Sequence, residues 1–381
     1  MASNSILILA IDGVGIRGII PAYILSAIEA KLGKPCYRLF DMIGGTSTGG
    51  IIAAGLTTPQ PGNNTPPFSA QQLLNIYAND GNKIFVPQNC KVAYCATYFA
   101  DDGNGNGIEP YLQQTVGATT SLATTAKKTS TLPGARVKHM FTTGYAVNST
   151  DKSPQDPIRG VDYGPYLFNW YDAVRKPADN YYVWEAARGT SAAPVYFPVA
   201  HVGGSSSPRS GAAERWIIDG GTMSNNPAVW GLSEAFRTGL ATDIKDITII
   251  SLGTGMYPGG AGVGISDNAT YWDNVPANGN WSETPWLLMD MYDLEGNLNS
   301  RGTLVNIILE AVQLVSSSQL SALTAAGLKY YRMEPELTQA LAAMDNITPQ
   351  NIQALAARAQ QYLQNEGAAT FNQVINALMT T

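Results

Sequence analysis

The sequence is short of basic residues and has no long apolar run. Its 23 Lys and Arg stand against 29 Asp and Glu, for a net charge of -6, and the basic residues form no cluster. A nucleic-acid partner is therefore not expected, nor is strong electrostatic attraction to anionic membranes. No apolar stretch approaches the roughly 20 residues of a membrane-spanning helix. Any lipid contact would be peripheral and mainly apolar.

Cysteine is also scarce, with three in the chain. Cys36, Cys90 and Cys95 form neither an even disulfide set nor a paired metal-binding spacing. The first apolar segment, Ile6 to Ile11, is too short for a signal peptide and is interrupted at once by Asp12. We therefore expect a cytoplasmic protein, with any membrane association peripheral.

Apolar runs followed by glycine turns organise the first part of the chain. Ile6 to Ile11 is followed by a Gly-rich turn and by helix-like spacing over Pro21 to Leu32. A second unit has a strand at Leu39 to Ile43, the turn GGTSTGG, and a small-residue helix at Gly50 to Leu56. Two such units predict a parallel sheet covered by helices, with functional residues at the carboxyl ends of strands.

The remaining elements are weaker signals. Residues of about 58–135 are rich in Pro, Asn, Gly and Thr, and we expect loops there with helices at 70–78 and 110–116. Further strands are predicted at 140–147, 216–218 and 247–252, and helices from about 303 to the end, the last starting at Pro349. No linker divides the chain. We expect one domain over 1–381, with a catalytic core of about 6–255 and a helical C-terminal part of about 300–381.

The second glycine turn contains Gly45-Thr46-Ser47-Thr48-Gly49, a G-x-S-x-G pattern. A nucleophile on a sharp strand-to-helix turn needs small residues two positions to either side, so that the backbone can crowd while the hydroxyl stays exposed. The pattern alone also fits a helix capped by Ser or Thr after a glycine turn. Its position between a predicted strand and a small-residue helix favours the nucleophile.

A nucleophilic serine needs a base, and histidine is nearly absent. The two histidines, His139 and His201, have no motif around them, and we expect both to be ordinary surface or loop residues. No histidine follows His201, which excludes a triad of Ser47, Asp219 and a later histidine. Asp219 ends a predicted strand and precedes Gly220-Gly221; it fits either a turn-opening residue or a buried base bonded directly to a serine.

Three stretches taken together resemble the patatin-like phospholipase family: IDGVGIRGIIPA, FDMIGGTSTGG and IDGGTMSNNPA, in that order. That family carries a D-G-G-G-x-R-G oxyanion loop, a G-x-S-x-G nucleophile and a D-G-G or D-G-A acid. TSAAPVYFP, SLGTG and the segment of residues 330–355 also look like plant-type patatin sequence, so the resemblance covers nearly the whole chain.

The resemblance implies a three-layer α/β/α sandwich with a central, largely parallel sheet, and hydrolysis of fatty-acyl esters of membrane lipids. Ser47 would be the nucleophile of a Ser-Asp dyad and Asp219 its base, with no cofactor and no metal. An oxyanion hole would be formed by backbone N-H groups of Gly13, Val14, Gly15 and Thr48. Some bacterial relatives need an activator, so the partners expected are lipid esters, a membrane surface and possible unknown activators; oligomeric state stays open.

Val14 departs from the family pattern, which has glycine there. Valine keeps its N-H, but a positive φ would be costly for a β-branched residue, and a silent binding or storage protein on the same fold then becomes the alternative. Arg17 matches the family's basic residue, and we expect it, with Gly18, to support the loop rather than to contact a phosphate.

Other patterns receive ordinary interpretations. Asp102 to Gly107 imitates an EF-hand opening, but Gln113 replaces the bidentate Glu, which favours an Asn/Gly turn. Trp272, Trp281 and Trp286 fit either a lipid-entry rim or internal packing. The G-x-G-x-x-G at Gly13 to Gly18 also fits a dinucleotide-binding oxidoreductase, which would need an acid at the end of the second strand, whereas Glu29 falls inside a helix.

Overall fold

The computed structural model describes residues 5–62, 65–87, 99, 101, 105–149, 163–257, 290–292, 298–301 and 303–380. The strands of these residues are β1 Ile6–Ile11, β2 Met42–Gly45, β3 His139–Ser149, β4 Gly164–Asn169, β5 Ala200–Val202, β6 Arg215–Asp219, β7 Ile247–Leu252, β8 Asp290–Tyr292, β9 Leu298–Arg301 and β10 Lys329–Met333. The helices are α1 Ile19–Leu32, α2 Thr48–Thr57, α3 Ala70–Asn79, α4 Gly81–Ile84, α5 Ile108–Val116, α6 Leu122–Ser130, α7 Trp170–Arg175, α8 Val183–Thr190, α9 Gly221–Ser224, α10 Ala228–Arg237, α11 Thr303–Leu323, α12 Pro349–Gln364 and α13 Ala368–Met379.

Eight strands form the central sheet, in the order β10-β7-β1-β2-β3-β6-β5, with β4 also paired to β3. The strands from β10 to β3 are parallel, whereas β4, β5 and β6 are antiparallel to their neighbours. The carboxyl ends of β1 and β2 therefore lie at the same edge of the sheet, as the two strand-turn-helix units predicted.

Strand β3 brings two distant strand ends together. On one edge it pairs along its length with β4. On its other edge it pairs first with β2, ending at Gly45 opposite Thr142, and then with β6, whose Asp219 lies opposite Gly144. Because β2 runs parallel to β3 and β6 runs antiparallel to it, the carboxyl ends of β2 and β6 point at each other.

Helices cover both faces of the sheet, because the central strands are apolar on both sides. Leu7, Leu9 and Ile11 of β1 pack into a core with helices α1, α2, α3, α12 and α13. The alternate residues Ile6 and Ile8 pack into a second core with α10 and the end of α11. The expected three-layer α/β/α sandwich with a largely parallel sheet is thus confirmed.

Two predicted boundaries differ from the observed ones. The predicted strand 39–43 begins only at Met42, because Asp41 is used as an anchor: its carboxylate accepts the Leu7 N-H at 3.0 Å and pairs with Arg136 and Lys138. The expected all-helical C-terminal part also contains β10, which extends the sheet of the core by pairing with β7. This strand was not predicted because its polar residues interrupt the apolar pattern on which the other strands were assigned.

Candidate active site

Ser47 stands on a sharp turn between β2 and α2. Its backbone has φ 53°, in the left-handed region that is unfavourable for residues with a side chain. A Cβ on Gly45 would lie 2.0 Å from the carbonyl oxygen of Gly49, so the two glycines of the pattern face each other. The Ser47 N-H donates to Thr190 Oγ1 at 2.9 Å, which holds the turn from α8.

Ser47 and Asp219 are in direct contact. Ser47 Oγ donates to Asp219 Oδ2 at 2.6 Å, across 172 residues of sequence. The other carboxylate oxygen accepts the Gly221 N-H at 2.6 Å. Burial raises the pKa of Asp219 to about 7, against the lowering effects of these two hydrogen bonds and of the Arg188 charge. A carboxylate that titrates near neutral pH is a far stronger base than a free aspartate.

The two histidines lie elsewhere and have their own partners. His139 is buried and its Nε2 lies 3.0 Å from Glu234 Oε2. His201 Nε2 lies 2.7 Å from Glu214 Oε1, and its ring stacks on Trp216 at 4.6 Å. Neither ring lines the cavity at Ser47. Asp219 is therefore the residue with the geometry of a base for Ser47.

The glycine loop after β1 lies against the nucleophile. A Cβ on Gly13 would come within 2.5 Å of Ser47 Cβ, so glycine is required by the close approach. The Gly13 N-H donates to the Asn225 carbonyl at 3.4 Å. It is therefore not a free donor for the oxyanion hole, in contrast to the expectation from the sequence. Among the described residues, the N-H groups of Val14, Gly15 and Thr48 have no acceptor. An oxyanion hole formed by these three amides stays a prediction.

Val14 adopts a conformation open to any residue. Its φ is 172°, which is extended backbone. The positive φ falls on Gly15 instead, at 48°, where a Cβ would also lie 2.0 Å from the Met344 carbonyl oxygen. The conformation therefore requires glycine at position 15, and the valine at position 14 carries no backbone strain.

Arg17 and Gly18 hold this loop in place. The Arg17 guanidinium donates to the carbonyl oxygens of Thr254 at 3.2 Å, Ala342 at 3.0 Å and Gly255. Gly18 leaves room for the Thr48 side chain, since a Cβ there would lie 2.4 Å from Thr48 Oγ1. Thus the charge of Arg17 is directed at main-chain carbonyls, as the expectation of loop support requires.

A closed ring of hydrogen bonds passes through the loop. We call it the Gly13 ring, and its members are Asp12, Gly13, Asn225, Gln313, Glu334 and Arg332. Arg332 binds both oxygens of Asp12, at 2.9 and 2.6 Å, and one oxygen of Glu334 at 2.6 Å. Gln313 donates to Glu334 at 2.6 Å and accepts from Asn225 Nδ2 at 2.8 Å. The contact of the Asn225 carbonyl with Gly13 closes the ring.

The cavity over Ser47 is narrow and mostly apolar. Its volume is about 10 Å³, roughly the room that one water molecule needs. The polar side is formed by Ser47, Asp219 and Asn225, and the apolar walls include Ala193, Pro194, Tyr196, Leu309 and Met344. These walls offer an apolar surface beside Ser47.

Several residues of this site carried no assignment from the sequence. Asn225 stands inside the IDGGTMSNNPA stretch, where a second polar residue beyond Asp219 is the only local signal. Thr190 and Arg332 lie in stretches that resemble patatin sequence but received no role, and Gln313 lies outside every quoted stretch. The three residues reach the site through pairings of up to 320 residues' separation. Only the tertiary structure identifies them.

The other sequence patterns have structural roles or lie outside the described residues. Glu29, in α1, accepts the N-H groups of Cys36 and Ala70, each at 2.8 Å, and so joins two loops. The start of the EF-hand-like segment, 102–104, and the tryptophans 272, 281 and 286 are outside the described residues. In the part of the chain that is described, no group of three acidic, His or Cys residues is placed to hold a metal, and no helix is long and apolar enough to cross a membrane.

The chain is similar in sequence to proteins of one known family. A sequence model of the family described as Patatin-like phospholipase matches residues 9–229. Patatin-15 of Solanum tuberosum is 31% identical over 266 residues, 65% of this chain and 60% of the relative, so the match spans less than two thirds of that protein. Patatin-like protein 2 of Arabidopsis thaliana is 28% identical over 94% of this chain and 83% of the relative. Among solved structures, VipD from Legionella pneumophila aligns with 93% of this chain and 67% of its own, at TM-score 0.38 and 12% identity.

Proposed function

Because the chain belongs to the patatin-like phospholipase family, we propose that it is a serine hydrolase that cleaves fatty-acyl esters of membrane lipids, as a phospholipase A or lipid acyl hydrolase. The observation that carries the proposal is the 2.6 Å hydrogen bond from Ser47 Oγ to Asp219 Oδ2. It joins a serine on a strained turn to a buried carboxylate, the minimum that a dyad needs.

In the proposed mechanism, Asp219 accepts the Ser47 proton while Ser47 Oγ attacks the ester carbonyl carbon. The free N-H groups of Val14, Gly15 and Thr48 stabilise the negative charge on the carbonyl oxygen; one such donor contributes about 3 kcal/mol to transition-state stabilisation. Collapse of the tetrahedral intermediate transfers the proton to the leaving alcohol, the lysolipid. Water then hydrolyses the acyl-enzyme with Asp219 again as base.

The alternative of a silent binding protein rested on Val14. The extended φ of that residue removes the steric objection to a working oxyanion hole. What remains in support of catalysis is the pairing of Ser47 with Asp219 together with three amides that lack an acceptor within the described part of the chain. A domain of 381 residues acting as one unit is also supported, because β10 of the C-terminal part pairs with β7 of the core.

The test is fatty-acid release from mixed phosphatidylcholine vesicles in calcium-free buffer with chelator. Ser47→Ala and Asp219→Asn should fall to near background, whereas the exposed pair Ser233→Ala and Asp243→Asn should keep wild-type activity. Circular dichroism of each variant verifies folding. Full activity in Asp219→Asn would refute the dyad. An inactive wild type would point to a missing activator.

We further propose peripheral contact with a zwitterionic bilayer through α11. Ile308, Leu314 and Val315 of this helix are exposed, by 36%, 48% and 55%. Leu309, next to Ile308, lines the cavity at Ser47. The helix contains one acidic residue, Glu310, and no Lys or Arg, so its affinity would come from apolar burial and not from attraction to anionic lipid.

Vesicle sedimentation tests this contact. Val315→Glu should weaken binding to phosphatidylcholine vesicles several-fold, while Asn75→Glu, at an exposed polar position of α3, should not. Both variants should hydrolyse a soluble short-chain ester like the wild type. Equal vesicle binding by Val315→Glu and wild type would exclude this helix face.

A further inference from the structure

The side chain of Asn225 presents a hydrogen-bond acceptor to the catalytic cavity. It is 2% exposed and lines that cavity beside Ser47 and Asp219. Its main-chain carbonyl already has a partner in Gly13, and its Nδ2 donates to Gln313. Its Oδ1 accepts no hydrogen bond from any described residue. Because Asn225 lines the cavity, a molecule bound there can supply the missing donor to this oxygen.

The orientation of the Asn225 amide is fixed by the Gly13 ring. A Glu334 carboxylate can only accept, so Gln313 must direct Nε2 at it, at 2.6 Å. Gln313 Oε1 then faces Asn225 and can only accept, at 2.8 Å, which requires Nδ2 of Asn225 there. Because Arg332 donates to the other oxygen of Glu334, Glu334 is an acceptor at both oxygens. The donors and acceptors of Gln313 and Asn225 therefore cannot be exchanged. Oδ1 therefore faces the cavity.

This oxygen lies near both members of the dyad. A Cβ placed on Gly13 would have Ser47 Cβ at 2.5 Å and Asn225 Oδ1 at 2.9 Å. A Cβ placed on Gly221 would have Asp219 Oδ1 at 3.0 Å and Asn225 Oδ1 at 3.5 Å. Two acceptors, one charged and one neutral, thus face the same small space. An oxyanion would be repelled by them, whereas a water molecule has two hydrogens to donate.

We propose that Asn225 is a catalytic residue of the deacylation step, in which its Oδ1 binds and orients the hydrolytic water. One hydrogen of the water is donated to Asn225 Oδ1 and the other to Asp219, whose bond to Ser47 is lost once Ser47 is acylated. The water oxygen attacks the acyl carbonyl carbon as Asp219 takes its proton. The bond from that carbon to Ser47 Oγ then breaks, the proton passes to Oγ, and the fatty acid leaves. This inference rests on the proposed acyl-enzyme mechanism.

Gln313 is then a positioning residue, because it acts only through the amide of Asn225. Without its carbonyl, the Asn225 amide is free to turn Nδ2 toward the cavity, and the acceptor for water is lost in part of the molecules. Acylation by Ser47 needs neither Asn225 Oδ1 nor Gln313 Oε1. Substitution of either residue should therefore slow deacylation and leave acylation unchanged.

Pre-steady-state hydrolysis of p-nitrophenyl butyrate separates the two halves. Asn225→Ala should release one equivalent of nitrophenolate per enzyme at the wild-type rate and then turn over at least tenfold more slowly, with a butyryl adduct on Ser47 in the intact mass. Hydroxylamine, a stronger nucleophile than water, should restore its turnover. Gln313→Met should show the same pattern more weakly, and Asn75→Ala, an exposed asparagine of α3, should match wild type.

Equal losses in burst and turnover, or wild-type turnover without an adduct, would overturn the role of Asn225. If Asn225→Ala does not fold, Gln313→Met decides by the same two rates, since it leaves the cavity side chains in place. Nitrophenolate release that is equal in wild type and Ser47→Ala would instead refute the dyad, and this inference with it.

Discussion

At the scale of single residues, the Asp219 carboxyl couples activity to pH. Burial raises its pKa to about 7, and only the ionised form can accept the Ser47 proton. We therefore expect kcat/KM for a soluble ester to rise about tenfold per pH unit below pH 7 and to level above it. A stopped-flow profile from pH 5 to 9 measures this. A profile that is flat down to pH 5 would contradict the elevated pKa.

The raised pKa of Asp219 makes stability fall with rising pH, whereas it makes activity rise. The folded-state pKa lies above the unfolded value of about 3.8, so the native state holds this proton more tightly. That contribution is complete below about pH 4 and is lost as the pH rises through about 7. Wild type should therefore lose stability between pH 5 and 8, whereas Asp219→Asn should not. In urea titrations the free energy of unfolding of Asp219→Asn should thus increase relative to that of wild type over this range, and Asp243→Asn should show no such trend.

The two neighbouring loop residues Val14 and Gly15 should respond differently to substitution. Val14→Gly should keep activity within about threefold, because the valine is unstrained. Gly15→Ala should lower kcat by a hundredfold or more, since its Cβ would collide with the Met344 carbonyl and displace the amides of the loop. Ester hydrolysis with thermal melts of both variants tests the pair. A large gain of activity in Val14→Gly would show that valine does impair the oxyanion hole.

At the scale of elements, Arg332 ties β10 to the loop after β1. Replacing it with Met would leave the buried Asp12 carboxylate and the partly buried Glu334 carboxylate without their cation, at a cost of about 3–5 kcal/mol. The double variant with Asp12→Asn should recover part of this loss, because one uncompensated charge is removed. Urea unfolding measures both. A single-variant loss below about 1 kcal/mol would mean that water reaches the two carboxylates.

The elements that could be predicted are those whose own residues determine them. The uninterrupted apolar run of β1 gave both of its ends, and the glycine turn identified the start of the helix behind Ser47 within two residues. Strand β10, with the sequence KYYRM, has no apolar run. Its Arg332 is accommodated by Asp12, which lies 320 residues away. Sequence near a residue cannot reveal a partner at that separation.

The candidate site divides in the same way. Ser47, Asp219 and the glycine loop were predicted because each belongs to a local motif at a strand end. The orientation of Asn225 could not be predicted, because three residues from the C-terminal part determine it: Gln313, Arg332 and Glu334. The conformation of Val14 was equally hard to predict from nearby sequence. The positive φ lies on Gly15, which packs against the Met344 carbonyl, and that carbonyl accepts the Ile16 N-H.

At the scale of the whole molecule, we expect the core to require the C-terminal part. Residues of α12 and α13, among them Leu355 and Val374, are fully buried in the same cluster as α1. A chain ending at residue 257 contains the whole matched region of 9–229 but lacks these helices and β10. We expect it to lack a cooperative thermal transition in circular dichroism, whereas the full chain shows one. A cooperative melt of the shortened chain would show that the core folds alone.

The double pairing of β3 makes the active site tolerant of some insertions and intolerant of others. Residues Thr142 and Gly144 of one strand define the separation of Ser47 from Asp219, in place of the 172 residues of chain between them. Extra residues in the turn after β5, around Ser205, would leave that separation unchanged. A single residue inserted at Thr143 would move one strand end by about 3.3 Å and reverse the faces of the residues beyond it. Among related sequences we therefore expect insertions and deletions in the loops between strands, while β3 keeps a constant length.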